Sequence, residues 1–489
     1  MVQLQPYSTG RMPRRDFLKM FGVTAAGASI GSTGVLKAGE PPEVSRPAKP
    51  PAVIRGAFLY PPTAKLDKAG YYSWPGSSFD AEGRQEEYMR QLFGIERDLG
   101  ISLNMDTTPL DEPDSVTRFI RDVRRTNPDG LLLIPFKKSH WEHVVRIVDE
   151  TQIPTVAFAT MGILLIPYVN ELRDKPGVYI IVSQNNLEAV ADGLNMFRTA
   201  RRMRESLIMN LSGSREEEIR VPALGTRVRT IPLQRFYDAY RDMETSTAIR
   251  EHANSYMWNA QKIVEPSEQD ILEAAKASFV LQYMVESEGA DALMMDCLPG
   301  LQRPHKHVPP CMGYMDLRDA GIPAGCQADL ESTLTLMLFQ ELFDKPGFQN
   351  NPSVETEKNH YFCAHCTSAS RMYGVNSEPE PYELMSHAEA GWGCVPRVLM
   401  EPGQEVTIGQ YWTAGSNNGK PAMVVYTGEL VGCPPIPPTG GCRTNAEVTI
   451  NEVDDVCDMQ NHGHLNLIYG NYAQELRRFC QLYDMEVVV

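Results

Sequence analysis

The chain has 489 residues with 46 Lys plus Arg against 62 Asp plus Glu, a formal charge of -16 at pH 7. A pI near 5.2 argues against nucleic acid and anionic membrane as partners, because both require a basic face. At 42% hydrophobic and 22% charged residues the composition is globular, and the length requires two or three domains rather than one core.

The N-terminus reads as an address. Arg14-Arg15-Asp16-Phe17-Leu18-Lys19 is followed by a mildly apolar Gly/Ala/Ser run from Met20 to Val35. Paired arginines, two apolar residues, a lysine and a weak apolar region match the twin-arginine export pattern. Residues 1–38 are therefore expected to be an export signal and the chain to work in the periplasm or elsewhere outside the cytoplasm. Met20–Val35 is too short and too polar for a membrane span. Residues 39–51 form a proline-rich linker that will not pack.

The expected fold class is α/β: two doubly wound α/β domains followed by a β-rich, barrel-like C-terminal domain. The first domain, residues 52–170, opens with a strand over Val53–Leu59 and an aromatic loop (Tyr60, Tyr71, Tyr72, Trp74). Met89, Leu92, Phe93 and Leu99 mark a helix ending at Gly100. Ile101–Met105 is a strand, Val116 to Val123 a helix, Leu131–Pro135 a fully apolar strand, His140–Asp149 a helix and Pro154–Phe158 a strand. Continuous apolar strands alternating with helices predict a parallel sheet buried on both faces.

A second series, residues 171–354, repeats the pattern. It places strands at Val178–Val182, Ser206–Met209, Gly225–Ile231 and Ala292–Met295, with helices at Leu187–Met203, Leu233–Met243 and Ile271–Glu286. It carries neither a Gly-x-Gly-x-x-Gly turn nor a Gly-x-x-x-x-Gly-Lys loop, so no nucleotide is expected. From Gly321 a Gly/Pro turn leads to Asp329 as N-cap, Glu331 in the first turn, and an apolar helix that reads as buried nearly all round. Residues 355–489 then alternate or run as β-segments (Val406–Trp412, Ala422–Tyr426, Ala446–Val453) between Gly/Pro turns, and end in a helix with Tyr472, Leu476, Phe479 and Leu482 on one face.

All ten cysteines lie at or after Cys297, which reads as buried thiols rather than a disulfide framework. Cys363-Ala-His-Cys366 has no second pair of similar spacing to complete a zinc ribbon. His462 and His464 stand two apart, a same-face spacing on a strand. His360 and His365 lie near Glu355 and Glu357, and His305 and His307 flank a Pro-rich loop.

On these residues the chain resembles the L-fucose isomerase / L-arabinose isomerase family. The segments that carry the resemblance are Gly321-Ile322, Cys326-Gln327-Ala328-Asp329, the apolar helix, Phe348-Gln349-Asn350-Asn351, His365-Cys366-Thr367, Gly441-Cys442-Arg443-Thr444, and His464 with Gly470. The resemblance implies aldose–ketose isomerisation through an enediolate at a divalent metal, commonly Mn²⁺, held by a Glu, an Asp and a terminal His. It puts Gln327 and Asp329 in catalytic positions. The metal positions fall on His464, Asn350, Asn351 and Gln327, and substrate-binding positions on His365, Arg443, His462 and Glu331. It also implies a homo-oligomer with a small-molecule sugar as partner.

The sequence departs from the family where the Glu falls on Gln327 and the Asp on Asn350 or Asn351. An amide keeps an oxygen donor but loses the charge and the basicity. Two readings therefore stand side by side: a sugar isomerase-like enzyme, and a non-catalytic exported carbohydrate-binding protein on the isomerase scaffold, since Gln and Asn bond sugar hydroxyls without a metal. The alternating α/β pairs also fit a two-lobed periplasmic binding protein, against which the β-rich C-terminal part argues.

Overall fold

The computed structural model describes residues 49–65, 79–160, 163–184, 187–435 and 441–489. The twin-arginine segment, nearly all of the linker, and Tyr71, Tyr72 and Trp74 lie outside them. The chain is mixed α/β, with two mainly parallel sheets and a closed six-strand β-barrel in the C-terminal region.

Strands β1 (Val53–Leu59), β2 (Ser102–Met105), β3 (Gly130–Pro135), β4 (Thr155–Thr160) and β5 (Val178–Ser183) form the first sheet. Its order is β2-β1-β3-β4-β5 and all its pairs are parallel. Helix α1 (Ala81–Leu99) starts where Asp80 accepts from Gly83 N–H and stops where Gly100 turns left-handed at φ 63. Helix α2 (Pro113–Thr126) has proline in its first turn, where the missing N–H is not needed. Strand alternation splits the apolar residues between two faces. Ile54, Phe58, Leu132, Ile134, Val156 and Phe158 enter one core, and Ala57, Leu59, Leu131, Leu133, Ala157 and Ala159 another.

The second sheet combines β6 (Leu207–Leu211), β7 (Glu217–Arg220), β8 (Arg227–Ile231), β9 (Ala292–Met295) and β10 (Ala324–Cys326). Its order is β10-β9-β6-β8-β7, with the exposed edge strand β7 antiparallel to β8. It too is buried on both faces: Ile208, Val228 and Met294 face one core, and Met209, Ile231, Leu293 and Met295 the other. The first of these cores also takes in residues from the first sheet, from helix α3 (Leu330–Phe343), from the barrel and from the last helix. One continuous apolar cluster thus locks the parts together, which no reading of separate domains anticipates.

The barrel is built from β11 (Phe348–Glu355), β12 (His360–His365), β13 (Glu405–Trp412), β14 (Ala422–Gly432), β15 (Thr444–Ile450) and β16 (Leu465–Tyr469). The antiparallel ring runs β13-β16-β11-β12-β15-β14 and closes through β13–β14. Closure removes the open edges that a sheet of this size would expose. Phe348, Tyr361, Cys363, Ile408, Val424, Tyr426, Val448, Leu465 and Leu467 belong to one buried cluster. The β-structure begins at Phe348, ahead of the boundary expected at residue 355. The hairpin β11–β12 is missing from the sequence reading because its polar residues (Gln349, Asn350, Asn351, His360) mask the alternation. A small sheet of Tyr382–Met385, Val395–Val398 and Lys262–Ile263 flanks the barrel.

Helix α3 is buried nearly all round, as expected: Ser332 to Phe339 and Leu342 are all buried. Gly325 in β10 makes this packing possible. A Cβ there would meet Thr333 Oγ1 of α3 at 1.9 Å, so only glycine lets the helix lie that close.

Candidate functional site

The turn between β10 and α3 sits at the carboxyl end of a parallel strand, the side on which open α/β sheets place ligands. Gln327 and Ala328 both occupy left-handed backbone, at φ 57 and φ 52. Such geometry costs about 1–2 kcal/mol per non-glycine residue, so surrounding contacts must hold it. They do. Ala328 N–H bonds Met295 O at 3.0 Å, and Asp329 N–H bonds Cys326 O at 3.2 Å.

Three polar crosslinks then tie this turn to the barrel. In the first, Gln349 of β11, fully buried, accepts from Cys326 N–H at 2.7 Å and donates to Cys326 O at 3.2 Å. It also accepts from Arg318 Nη2 at 3.3 Å. In the second, Ser332 Oγ donates to Asn466 Oδ1 at 2.9 Å. In the third, Asp329 Oδ2 lies 2.8 Å from His464 Nδ1. Gln349 and Asn466 are direct partners in the β11–β16 ladder, which explains why the crosslinks fall side by side.

Asp329 therefore serves twice. Its Oδ1 caps α3 through Ser332 N–H at 2.9 Å, and its Oδ2 holds the His464 imidazole. This fixes the proton on Nδ1 and leaves His464 Nε2 buried without a partner. The His365 ring stands edge-on to it with centroids 5.1 Å apart, and both His365 nitrogens are also unpartnered. Burial pushes the His365 imidazole well below its ordinary range, with His464 and Arg318 adding to the effect. It is neutral. Arg318 is itself fully buried and makes no bond to a carboxylate; its Nε and Nη2 both donate to Ala324 O. Burial lowers its pKa as well.

The predicted site residues divide as follows. Gln327 is exposed, two residues from the Asp329–His464 pair. Asn351 is exposed on β11, opposite Ala364 in the hairpin and one residue beyond the Asn350–Leu465 pair that ends the ladder to β16. Asn350 points the other way. It is fully buried, accepts from the Tyr361 hydroxyl and donates to Phe348 O at 2.9 Å, so it is a structural residue of the barrel.

His462 does not share a strand with His464. It lies in the bend before β16 and stacks on Trp412 at 3.7 Å, and Gly463, at φ 121, turns the chain between them. Glu331 is spent on Thr413, whose N–H and Oγ1 it accepts at 2.7 and 2.8 Å. Arg443 Nε donates to Ser386 O at 2.8 Å, which ties it to the flanking sheet. Sequence reasoning missed Arg318, Gln349 and Asn466, none of which fell in an element it assigned. A polar residue in an otherwise apolar strand was the available signal.

The donor set does not suit a hard divalent cation. Such ions prefer several charged oxygen ligands. Here the aligned positions supply two neutral amides and one imidazole, and both oxygens of the nearby carboxylate, Asp329, are already bonded. Glu355 pairs with His360 at the opposite end of the hairpin. Among the described residues no group of three or more His, Cys, Asp or Glu is arranged to hold a metal. A cavity of about 490 Å³ lies at the far end of α3, lined by Asn195, Arg198, Arg202, Glu341 and Asp344. It is remote from Asp329, and its arginines are paired with Glu341. The polar turn, not this cavity, holds the unpartnered chemistry.

No family model matches the chain, and no curated protein matches it. Among solved structures it aligns with D-threo-3-hydroxyaspartate dehydratase from Delftia sp. HT23 at 10% identity, over 88% of this chain and 85% of that one, with a TM-score of 0.11. A likeness that weak carries no argument about fold or function.

Proposed function

We propose that this chain is an exported carbohydrate-binding protein on a sugar-isomerase-like scaffold, with two doubly wound α/β units feeding the barrel. The sugar sits where the β10–α3 turn meets the barrel rim, against Gln327, Asn351, His464 and His365, and no divalent-metal isomerisation takes place. The observation that carries the reading is the chemistry of the aligned positions. Amides stand where the resembled family has carboxylates, and Asp329 is bound to a helix cap and a histidine. Neutral amides and imidazoles offer the mixed donors and acceptors that sugar hydroxyls match.

The Asp329–His464 pair favours a second reading, metal-free proton transfer on the same sugar, because an imidazole oriented by a carboxylate through Nδ1 presents Nε2 as a base. Thermal unfolding with a panel of aldoses and ketoses, metal analysis of the purified protein, and a ketose assay with and without a chelator separate the readings. Sugar-dependent stabilisation without turnover supports binding alone. Turnover that survives the chelator and is lost in His464→Asn supports proton transfer. Stoichiometric metal with chelator-sensitive turnover refutes both. Twin-arginine export and a homo-oligomeric state belong to the same proposal. Replacing Arg14 and Arg15 by Lys tests the first, and light scattering of the purified protein tests the second.

A further inference from the structure

Ten free cysteines are present, and seven of them are buried. Two stand apart by geometry. Cys366 Sγ, just past the end of β12, lies 3.8 Å from Cys442 Sγ, two residues before β15. Cys311 completes a small buried cluster with Cys366 and Val395, against which Cys442 packs. Cys366 is buried, whereas Cys442 is partly open to solvent. The Asn351 amide lies 3.9 Å from Cys442 Sγ, and His365 is the chain neighbour of Cys366. The thiol pair therefore borders the rim where the polar turn meets the barrel.

We propose that Cys366 and Cys442 are a disulfide-forming pair, closed by a low-molecular-weight disulfide. The argument is independent of the sugar reading. The sulfurs need to approach by roughly 1.8 Å to reach a bond of about 2.05 Å, a change within reach of side-chain rotation because both cysteines lie at strand ends rather than within ladders. The chemistry is thiol–disulfide exchange. Cys442, the accessible thiol, loses its proton to solvent and attacks one sulfur of the reagent, expelling one thiolate that takes up a proton. Cys366 then attacks the Cys442 sulfur of the mixed disulfide and expels the second. One protein dithiol and one small disulfide become one protein disulfide and two small thiols, so atoms and electrons balance.

Two physical consequences follow. The close approach of the Cys366 thiol and burial hold the Cys442 thiol well above its ordinary range. The neighbouring Cys311 thiol together with burial does the same for Cys366. Little thiolate exists at neutral pH, so closure is slow and speeds up with rising pH. The bond, once made, extends the β12–β15 pairing one step beyond its last ladder pair, His365–Thr444. It fixes the backbone beside His365 and Asn351.

The test uses the full chain, incubated with oxidised glutathione at pH 7 and pH 9, then blocked with an alkylating agent and digested without reductant. The expected result is a linked pair of peptides carrying Cys366 and Cys442, released by dithiothreitol and formed faster at pH 9. It is absent in Cys442→Ser and retained in Cys311→Ser. A linkage of Cys311 to Cys366, glutathione adducts without an internal bond, or both thiols still alkylated after oxidation overturns the proposal. The wild-type measurement stands even if a variant fails to fold.

Discussion

Gln349→Met removes the side chain that fastens the β10–α3 turn to the barrel while keeping its volume. Three bonds disappear: two to the Cys326 backbone and one from Arg318 Nη2. They are not equal. Cys326 O still accepts from Asp329 N–H, and Arg318 still donates to Ala324 O. Cys326 N–H is left buried with nothing to bond, which costs about 1–3 kcal/mol, and the lost bond to a charged donor adds about 1.5–3. The sum is about 4 kcal/mol. At about 2 °C per kcal/mol for a long chain, Tm should fall by roughly 8 °C in a calorimetric scan. Gln349→Glu is the control. It keeps both acceptances and gives the buried Arg318 guanidinium the carboxylate it lacks, against the lost donation to Cys326 O, so its Tm should fall clearly less than that of Gln349→Met. If Gln349→Met melts within about 2 °C of the parent, the crosslink does not carry the load argued for it.

The two asparagines should separate cleanly. Asn351→Asp, on an exposed position, is expected to change Tm by less than about 1 °C. Asn350→Asp puts a carboxylate inside the apolar barrel and should lower Tm by several degrees, as an unpaired buried charge does. Equal effects would mean that the register is wrong. Asp329→Asn keeps a good helix cap but weakens the hold on His464. Stability should change by less than about 1 kcal/mol while sugar-dependent stabilisation is lost; unchanged stabilisation would remove the pair from the site. Burial pushes His307 and His387 down to about 4. Both are neutral in the fold and protonate in the unfolded chain, so they favour the fold above about pH 6.5 and that stability is lost as pH falls toward 4. Asp319, pushed up to about 6 by burial, acts in the opposite sense, its contribution lost as pH rises through 6. The two histidines outweigh it, so Tm should be lower at pH 5 than at pH 7; a flat profile refutes this.

Much of the architecture is legible in the sequence because burial on both faces leaves a simple mark. The continuous apolar strands Leu131–Pro135 and Ala292–Met295 have no polar face to show, and parallel sheets covered on both sides require that. The buried helix after Asp329 is equally plain, since its cap and apolar sequence are local. The hairpin Phe348–His365 is not, because its polar residues serve contacts made far away in the chain. Gln349 looks unremarkable until Cys326 and Arg318 are seen to meet it, and Asn350 and Asn351 are alike as letters. A strand's period of two sends one into the barrel and the other to the rim.

Local propensity, capping and apolar pattern were enough to determine that this chain forms two α/β layers, a β-rich end and a buried helix at their junction. Tertiary structure alone decided that Asp329 holds His464, that Arg318 is buried without a carboxylate, and that Cys366 and Cys442 face each other. The two pairs join residues 135 and 76 positions apart. The Asp329–His464 contact depends on how the barrel closes against the second sheet and the Cys366–Cys442 contact on the pairing of β12 with β15, and short-range patterns carry no information about either.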